Sequence, residues 1–170
     1  ITVDGDTSTN DACSLSATNH SGILYSQCKE AFQKALNELT KKLAHMIVKD
    51  GEGSTKFVEV RVSGLESNED CLEVAYTVAH SPLVKTALFA SDANWGRILA
   101  AVGRARVDGI SFENINISLN EVQTISSGEI SEQYTEEAGS REMEKPEITI
   151  WINLGGFKTN ESVWTTDLSY

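Results

Sequence analysis

Positive charge is scarce in this sequence of 170 residues. It has 14 lysines and arginines against 25 aspartates and glutamates, so the formal net charge is −11 at pH 7. A protein that binds nucleic acid without sequence preference needs a positive field to displace counterions from the phosphates. The charge therefore argues against such binding and against an anionic membrane surface. The sequence also has no apolar run as long as a membrane span and no signal-peptide pattern.

Cysteine is scarce as well. Cys13, Cys28 and Cys71 are an odd number at wide spacings, which is neither a disulfide framework nor a zinc pattern. This usage fits a reducing, cytoplasmic compartment in which the thiols serve as small core residues. The rest of the composition is ordinary: at 40% hydrophobic and 7% aromatic residues, the chain can form one core, or two small lobes that share one.

The most regular pattern lies in residues 26–50. Apolar side chains recur there at steps of three and four, which predicts a long amphipathic helix that ends at Gly51. If its apolar face is buried, Leu43→Ala should cost roughly 2–5 kcal/mol. The residues of that face are Phe32, Leu36, Leu39, Leu43 and Met46 or Ile47.

Shorter patterns follow this helix. Residues 57–64 alternate apolar and polar side chains, as a half-buried strand does. Three capping patterns predict helices that begin near residues 68, 82 and 95. The capping residues are Ser67 with Asp70, Ser81 before a proline, and Asp92 or Asn94.

Beyond Gly109 the pattern changes to strands. Apolar residues alternate at 115–119, 148–154 and 164–170. The acidic segment 127–147 has little apolar content, and we interpret it as a solvated connection with room for some helix. A strand, then helices, then several strands predicts an α+β fold with a mixed or antiparallel sheet.

The polar stretch DGDTSTND (residues 4–11) has three interpretations. Paired aspartates occur in haloacid-dehalogenase-type phosphatases, but Thr7 and its neighbours replace the apolar residue expected after such a pair. A calcium loop would need glycine at Thr9 and glutamate at Leu15. A polar turn, with hydrogen bonds from aspartate and threonine side chains to the backbone, is sufficient to explain the stretch, and we favour it.

A second polar stretch, KDGEGSTK (residues 49–56), contains the residue types of a phosphate loop in the wrong order. The two glycines around Glu52 let the backbone bend sharply and leave this carboxylate unobstructed, which suits the binding of an ammonium group. A solvated turn after a helix explains the same residues, and spacing alone favours the turn.

The remaining polar candidates carry weaker signals. His20, His45 and His80 have neither ligand spacing nor a place in a catalytic triad, and we expect surface or partly buried positions for them. The chain also has one local basic patch, which we interpret as a salt-bridged helix face rather than an anion site. Its members are Arg97, Arg104 and Arg106.

Four blocks together resemble a known family. ITVDGDTSTND, KDGEGSTKFVEV, SPLVKTALFASDANWGRILAAVGRA and TTDLSY are similar, in this order and at this spacing, to the ornithine acetyltransferase family of arginine biosynthesis. The resemblance spans nearly the whole chain.

The resemblance implies a specific chemistry. Family members are made as a precursor that cleaves itself before a threonine, which gives an α chain and a β chain. The new N-terminal threonine takes acetyl from N-acetylornithine and passes it to glutamate, and its own α-amino group is a built-in base. Oxyanion donors come from the α chain in this family.

The sequence departs from the family pattern at both ends. It begins at Ile1, without the threonine and the stretch that precede ITVDGD in the family, and it ends at Tyr170 before the family's tail, which contributes active-site residues. We therefore expect a large part of a β chain, with its nucleophile upstream of Ile1. Neither Thr7 nor Thr9 inherits that role.

Residue roles follow by position. Glu52 resembles the family's substrate-contacting carboxylate, so we expect it to pair with a positively charged group of the substrate. Residues 4–11 are a family signature, for which we hypothesise a structural turn that braces the floor of the active site. Trp95, in the signature DANWGRILAAVG, is expected to be a large buried anchor of helix packing.

The resemblance also implies the organisation of the protein. Residues 1–60 should belong to a catalytic α/β domain shared with the α chain, and residues 61–170 should form a C-terminal α+β domain. We expect a cytoplasmic αβ heterodimer within a higher oligomer, with no metal and no cofactor, and acetyl-CoA stays open as a second donor. Two alternatives are a self-processing aminopeptidase of the same superfamily and a non-catalytic association module.

Overall fold

The computed structural model describes residues 1–169, and they adopt an α+β fold. Residues 1–24 contain no helix or strand and are mostly exposed. The described helices are α1 (Tyr25–Lys49), α2 (Asn68–Ala79), α3 (Pro82–Phe89), α4 (Trp95–Val102), α5 (Glu136–Met143) and a 3-10 turn at Phe112–Asn114. The described strands are β1 (Phe57–Ser63), β2 (Asn116–Leu119), β3 (Val122–Ser126), β4 (Glu129–Ile130), β5 (Glu147–Asn153) and β6 (Asn160–Thr166).

The strands form one mixed sheet in the order β4-β3-β2-β5-β1-β6. β1 and β5 are parallel, and every other neighbouring pair in this order is antiparallel. The mixed sheet predicted from the sequence is therefore confirmed. Alternation along β1 and β5 buries one side of each strand, because successive side chains point to opposite faces. The buried residues are Val58, Val60, Val62, Ile148, Ile150 and Ile152.

Helices α2 to α5 contribute apolar side chains to the same core as the sheet. Each predicted N-cap is present: the Ser67 hydroxyl accepts from the backbone of Asp70, Ser81 from Val84, and Asn94 from Arg97. These bonds satisfy backbone donors that the first turn of a helix leaves free. Trp95 packs against the core but is only partly buried, so the expected large buried anchor lies at the edge of the core.

Helix α1 has the predicted bounds to within one residue, but its apolar face is not buried in this chain. Leu39, Leu43, Met46 and Ile47 are 46–56% exposed. Only Val48 of α1 is buried, and the helix meets the sheet near β6. The periodicity therefore predicted the helix correctly, but burial of that face, the condition for a large Leu43→Ala loss, is not met within the described residues.

Three further expectations need correction. The segment 127–147 is not merely a solvated connection, because it contains β4 and α5 and buries Met143. The last strand ends at Thr166, so Leu168 lies outside it, and the predicted continuation to Tyr170 lies outside the described residues. Of the three cysteines only Cys71 is in the core; Cys13 is exposed and Cys28 is intermediate.

The predicted boundary near residue 60 falls inside β1, and the division into two domains stays a prediction. Among the described helices, none is both long enough and apolar enough to cross a membrane.

Candidate functional site

Glu52 lies at an exposed position in the loop that joins α1 to β1. The loop leaves α1 through the backbone bond from Asp50 N to Met46 O at 3.0 Å, and Ser54 N donates to Gly51 O at 3.0 Å. Gly53 has φ +69°, in the left-handed region that favours glycine. The sharp turn around Glu52 is therefore real, and its carboxylate is open to solvent, as the sequence predicted.

The C-terminal end of the loop is held by Asp167, which follows β6. One carboxylate oxygen, Oδ1, accepts from Thr55 N at 2.9 Å and from Lys56 N at 3.1 Å, and the other accepts from the Thr55 hydroxyl. Asp167 is only 3% exposed. Burial raises the pKa of this carboxyl, but the hydrogen bonds from Thr55, Thr166 and the Lys56 backbone outweigh it and lower the pKa. Asp167 is thus held as a buried carboxylate.

Lys56 is buried between the loop and α5. Its ammonium donates to Ser91 Oγ at 2.7 Å and to the carbonyl of Met143. Burial lowers the pKa of Lys56, while the charges of Asp167 and Glu144 oppose this shift. The lysine therefore ties the start of β1 to the last turn of α5.

Lys85 of α3 is 2% exposed and holds the end of β6. Its Nζ donates to Thr165 Oγ1 at 3.0 Å and to the carbonyl of Thr166, and its own carbonyl accepts from Leu168 N at 3.3 Å. Burial lowers the pKa of Lys85 to about 8, against the raising effect of the Asp167 and Asp4 charges. Residues 165–168 are thus held by α3 on one side and by the Glu52 loop on the other.

The opening stretch forms the turn that the sequence predicts. Asp6 N donates to Asp4 Oδ1 at 2.8 Å, and the backbone of Asp11 donates to Ser8 Oγ at 2.9 Å. The segment just before it touches the Glu52 loop, since a Cβ on Gly51 would lie 2.9 Å from Val3 Cγ1. Bracing of an active-site floor stays a prediction. Within residues 1–169 no three histidine, cysteine or acidic side chains are grouped to hold a metal ion.

A cavity of about 280 Å³ borders the loop, but Glu52 does not line it. The ion pair between Lys49 and Glu147, at 2.6 Å, lies along this cavity, and Ser54, Thr55 and Lys56 line it from the loop. The exposed carboxylate and the cavity are therefore separate features, and a ligand of Glu52 would approach from solvent or from another part of the protein.

The other polar candidates do not join this site as ligands. His20 is exposed, and His45 packs against Phe57 and Trp164, with ring centroids 5.0 and 4.6 Å away. His80 Nε2 lies 3.1 Å from Thr2 Oγ1. Burial lowers the pKa of both His45 and His80.

The expectation that the arginines form a salt-bridged helix face is wrong for the described residues. Arg97 donates to the Leu83 carbonyl at 2.9 Å, and Arg104 donates to that of Thr77. None of the ion pairs between residues 1–169 includes Arg97, Arg104 or Arg106.

Sequence reasoning did not single out Asp167, Lys56 or Lys85. One signal was available for Lys85, a lone lysine on the buried face that Val84 and Leu88 give to α3. No local pattern marks Asp167, because its partners Thr55 and Lys56 lie more than a hundred positions earlier.

The chain resembles known proteins over its whole length. The model of the ArgJ family matches residues 1–170. Two relatives are named arginine biosynthesis bifunctional protein ArgJ: that of Psychrobacter arcticus is 53% identical over 175 residues and that of Pseudomonas fluorescens 51% identical over 179. Each alignment covers 100% of this chain and 43% of the relative, so the chain spans less than half of their length.

A solved structure agrees. The crystal structure of arginine biosynthesis bifunctional protein ArgJ from Bacillus halodurans matches with a TM-score of 0.91 and 35% identity, over 99% of this chain and 81% of that one. The resemblance drawn from the four sequence blocks is confirmed, and the chain belongs to the ArgJ family.

Proposed function

We propose that the chain is the β-chain portion of a self-processing ornithine acetyltransferase. The complete enzyme transfers acetyl from N-acetylornithine to glutamate and releases ornithine and N-acetylglutamate. The observation that carries this proposal is family membership over all 170 residues, with relatives at about half identity named for arginine biosynthesis. Their name includes the word bifunctional, which supports acetyl-CoA as a second acetyl donor.

The chemistry requires a threonine that lies upstream of Ile1. Its hydroxyl attacks the acetyl carbonyl carbon while its α-amino group takes the hydroxyl proton. The α-amino group passes this proton to the nitrogen of ornithine, which leaves as a neutral amine, and the acetyl group stays on threonine as an ester. The neutral amine of glutamate then attacks that ester and gives a proton to the α-amino group, which returns it to the departing threonine oxygen, with oxyanion donors supplied by the α chain. This sequence of steps uses neither a metal nor a cofactor.

Glu52 is proposed to bind the substrate. Its carboxylate is exposed to solvent on a loop in which Asp167 holds the backbone of Thr55 and Lys56, so Glu52 lies at a defined place open to a ligand. N-acetylornithine keeps one ammonium group on its side chain, and a carboxylate within hydrogen-bond distance of an ammonium is a strong, charge-assisted pair. Glu52 would hold this group while the acetyl end faces the threonine.

The α chain of the same precursor is the proposed partner. The apolar face of α1 includes four side chains that are 46–56% exposed, and clustered exposed apolar side chains are typical of an interaction surface; they are Leu39, Leu43, Met46 and Ile47. Packing of the α chain on this face would remove it from water and give the αβ unit that we propose forms a higher oligomer in the cytoplasm.

Intact-mass spectrometry of the full-length gene product tests the chemistry. We expect two polypeptides, and the one that contains Glu52 should begin at threonine and gain a single acetyl group on addition of N-acetylornithine. A single uncleaved chain that gains no acetyl group would contradict the proposal and leave the non-catalytic module. Processing without acetylation, with release of amines from aminoacyl amides, would indicate the aminopeptidase.

Steady-state kinetics of the complete enzyme test the role of Glu52. Glu52→Gln should raise KM for N-acetylornithine about tenfold, the order expected for loss of one charge-assisted contact. Glu132→Gln, the same change at another exposed glutamate, is the matched control. Equal kinetics for the two variants would contradict the assignment of Glu52.

A further inference from the structure

We propose that Asp167 is a positioning residue for Glu52: it fixes the loop that carries the substrate-binding carboxylate. The inference rests on the proposed function, because it needs Glu52 to bind substrate. It adds a residue that touches no substrate and acts through the loop backbone.

The direction of an exposed side chain depends on the backbone beneath it. On one side of Glu52 the loop is fixed by the end of α1, where Gly51 N donates to Val48 O at 3.3 Å. On the other side, from the third residue after Glu52, two consecutive backbone N–H groups and one hydroxyl donate to Asp167. These contacts determine where Glu52 stands.

Burial makes the Asp167 carboxylate dependent on these hydrogen-bond donors. It is 3% exposed, and none of the ion pairs among the described residues includes it. The buried ammoniums of Lys56 and Lys85 are near enough for their charges to interact with Asp167, but neither forms an ion pair with it, so this carboxylate depends on hydrogen bonds for its stability. Movement of Thr55 and Lys56 away from Asp167 would remove three of the four hydrogen bonds that this carboxylate accepts among the described residues, so the loop is restrained more firmly than a surface turn.

Asp167 is itself immobilised by the core. Lys85 binds Thr165 Oγ1 and the carbonyl of Thr166 from α3. From the loop side, Ser54 Oγ lies 2.5 Å from Thr166 Oγ1, and that hydroxyl lies 2.8 Å from the Lys56 carbonyl oxygen. A continuous set of contacts therefore runs from the buried face of α3 through residues 165–167 to the loop of Glu52.

The test is a double-mutant cycle in the complete enzyme, with kcat normalised to the fraction of sites that N-acetylornithine acetylates. The variants are Glu52→Gln, Asp167→Asn and the pair together. Asp167→Asn keeps the size of the side chain but removes its charge. It should raise KM for N-acetylornithine about fivefold to tenfold, with a smaller change in kcat. In the Glu52→Gln background the same change should raise KM less than twofold, because the loop no longer carries the carboxylate.

Variants of Thr55 test the same contact independently, and they keep the inference testable if the Asp167→Asn variant fails to fold. Thr55→Val removes one donor to Asp167 and should also raise KM for N-acetylornithine. Thr55→Ser keeps the hydroxyl, so its KM should stay near the wild-type value. Asp108→Asn, at an exposed carboxylate outside these contacts, is the matched control for charge removal and should leave KM unchanged.

The possible outcomes are distinguishable. Effects of Glu52→Gln and Asp167→Asn that multiply in the double variant would overturn the positioning role and leave the proposed function standing. Thr55→Val and Thr55→Ser with equal KM values would also overturn it. An unchanged KM in Glu52→Gln would instead reject the proposed role of Glu52, and with it this inference.

Discussion

Gly64 and Gly155 face each other where the parallel strands β1 and β5 end. Their backbones are so close that a Cβ on Gly64 would lie 2.5 Å from both the nitrogen and the carbonyl oxygen of Gly155. Gly64 also has φ +92°, which side-chain-bearing residues rarely adopt. The segments that follow β1 and β5 can therefore lie side by side only because neither Gly64 nor Gly155 has a side chain.

Gly64→Ala should consequently be one of the most destabilising single-methyl additions in the chain. Backbone strain and overpacking each cost roughly 1–3 kcal/mol, so we expect a loss of roughly 2–6 kcal/mol in the free energy of unfolding, measured by urea titration. Gly156→Ala is the control, because a Cβ there would meet nothing within 4 Å. A loss below about 1 kcal/mol for Gly64→Ala would show that the loops separate easily.

The cap of α2 gives a smaller, local prediction. The Ser67 hydroxyl accepts from Asp70 N at 3.0 Å and donates to Asp70 Oδ2 at 2.8 Å. Ser67→Ala should lower the free energy of unfolding by about 1 kcal/mol. Ser67→Thr should lower it much less, because threonine is also an N-cap residue. Equal losses for the two variants, by urea titration, would mean that the cap contributes little.

The secondary structure was predictable wherever one local rule dominated. The periodicity of α1, the alternation of β1 and the caps at Ser67, Ser81 and Asn94 each gave bounds that the structure confirms. β3 and β4 escaped prediction because they are short and mix polar with apolar residues, as in Val122–Ser126. Each pairs with its neighbour in sequence through a two-residue turn, at residues 120–121 and 127–128, and these local hairpin turns are a signal that the sequence reasoning did not use.

The candidate site divides in the same way. The exposed turn at Glu52 follows from its flanking glycines, a local property, and its proposed role follows from the resemblance. The hydrogen bonds that hold this loop do not follow from local sequence, because they join distant residues. Asp167 and Thr55 are 112 positions apart, and Lys85 and Thr165 are 80 apart. Periodicity also showed that α1 is amphipathic without showing what its apolar face contacts, because amphipathicity does not identify a partner.

The exposed face of α1 makes the stability of the chain insensitive to one apolar truncation. Leu43 is 46% exposed, so Leu43→Ala in the 170-residue chain should change the free energy of unfolding by less than about 0.5 kcal/mol. Ile150, fully buried in β5, is the matched comparison, and Ile150→Ala should cost roughly 2–5 kcal/mol. Urea titration of both variants measures this difference. Similar losses would mean that Leu43 is buried, for example by self-association of the chain.

Lys85 should make stability depend on pH in the alkaline range. The folded pKa of about 8 lies below the ordinary lysine value of about 10.4, so folding works against the charged form. Between these two values the unfolded chain binds more protons than the folded one, and the free energy of unfolding therefore rises with pH. Below pH 8 the penalty for burying the ammonium is fully present and no longer changes.

Lys85→Met isolates this contribution, because methionine fills a similar volume and does not titrate. Between pH 8 and pH 10 the stability of the wild-type chain should increase relative to Lys85→Met, by an amount on the order of 1–2 kcal/mol. Lys158→Met, at an exposed lysine, is the control, and its stability should run parallel to that of the wild type across the same range. Urea titrations at several pH values measure all three curves. A parallel curve for Lys85→Met would mean that the Lys85 ammonium stays charged in the folded chain, held by Thr165, the Thr166 carbonyl and the nearby charge of Asp167.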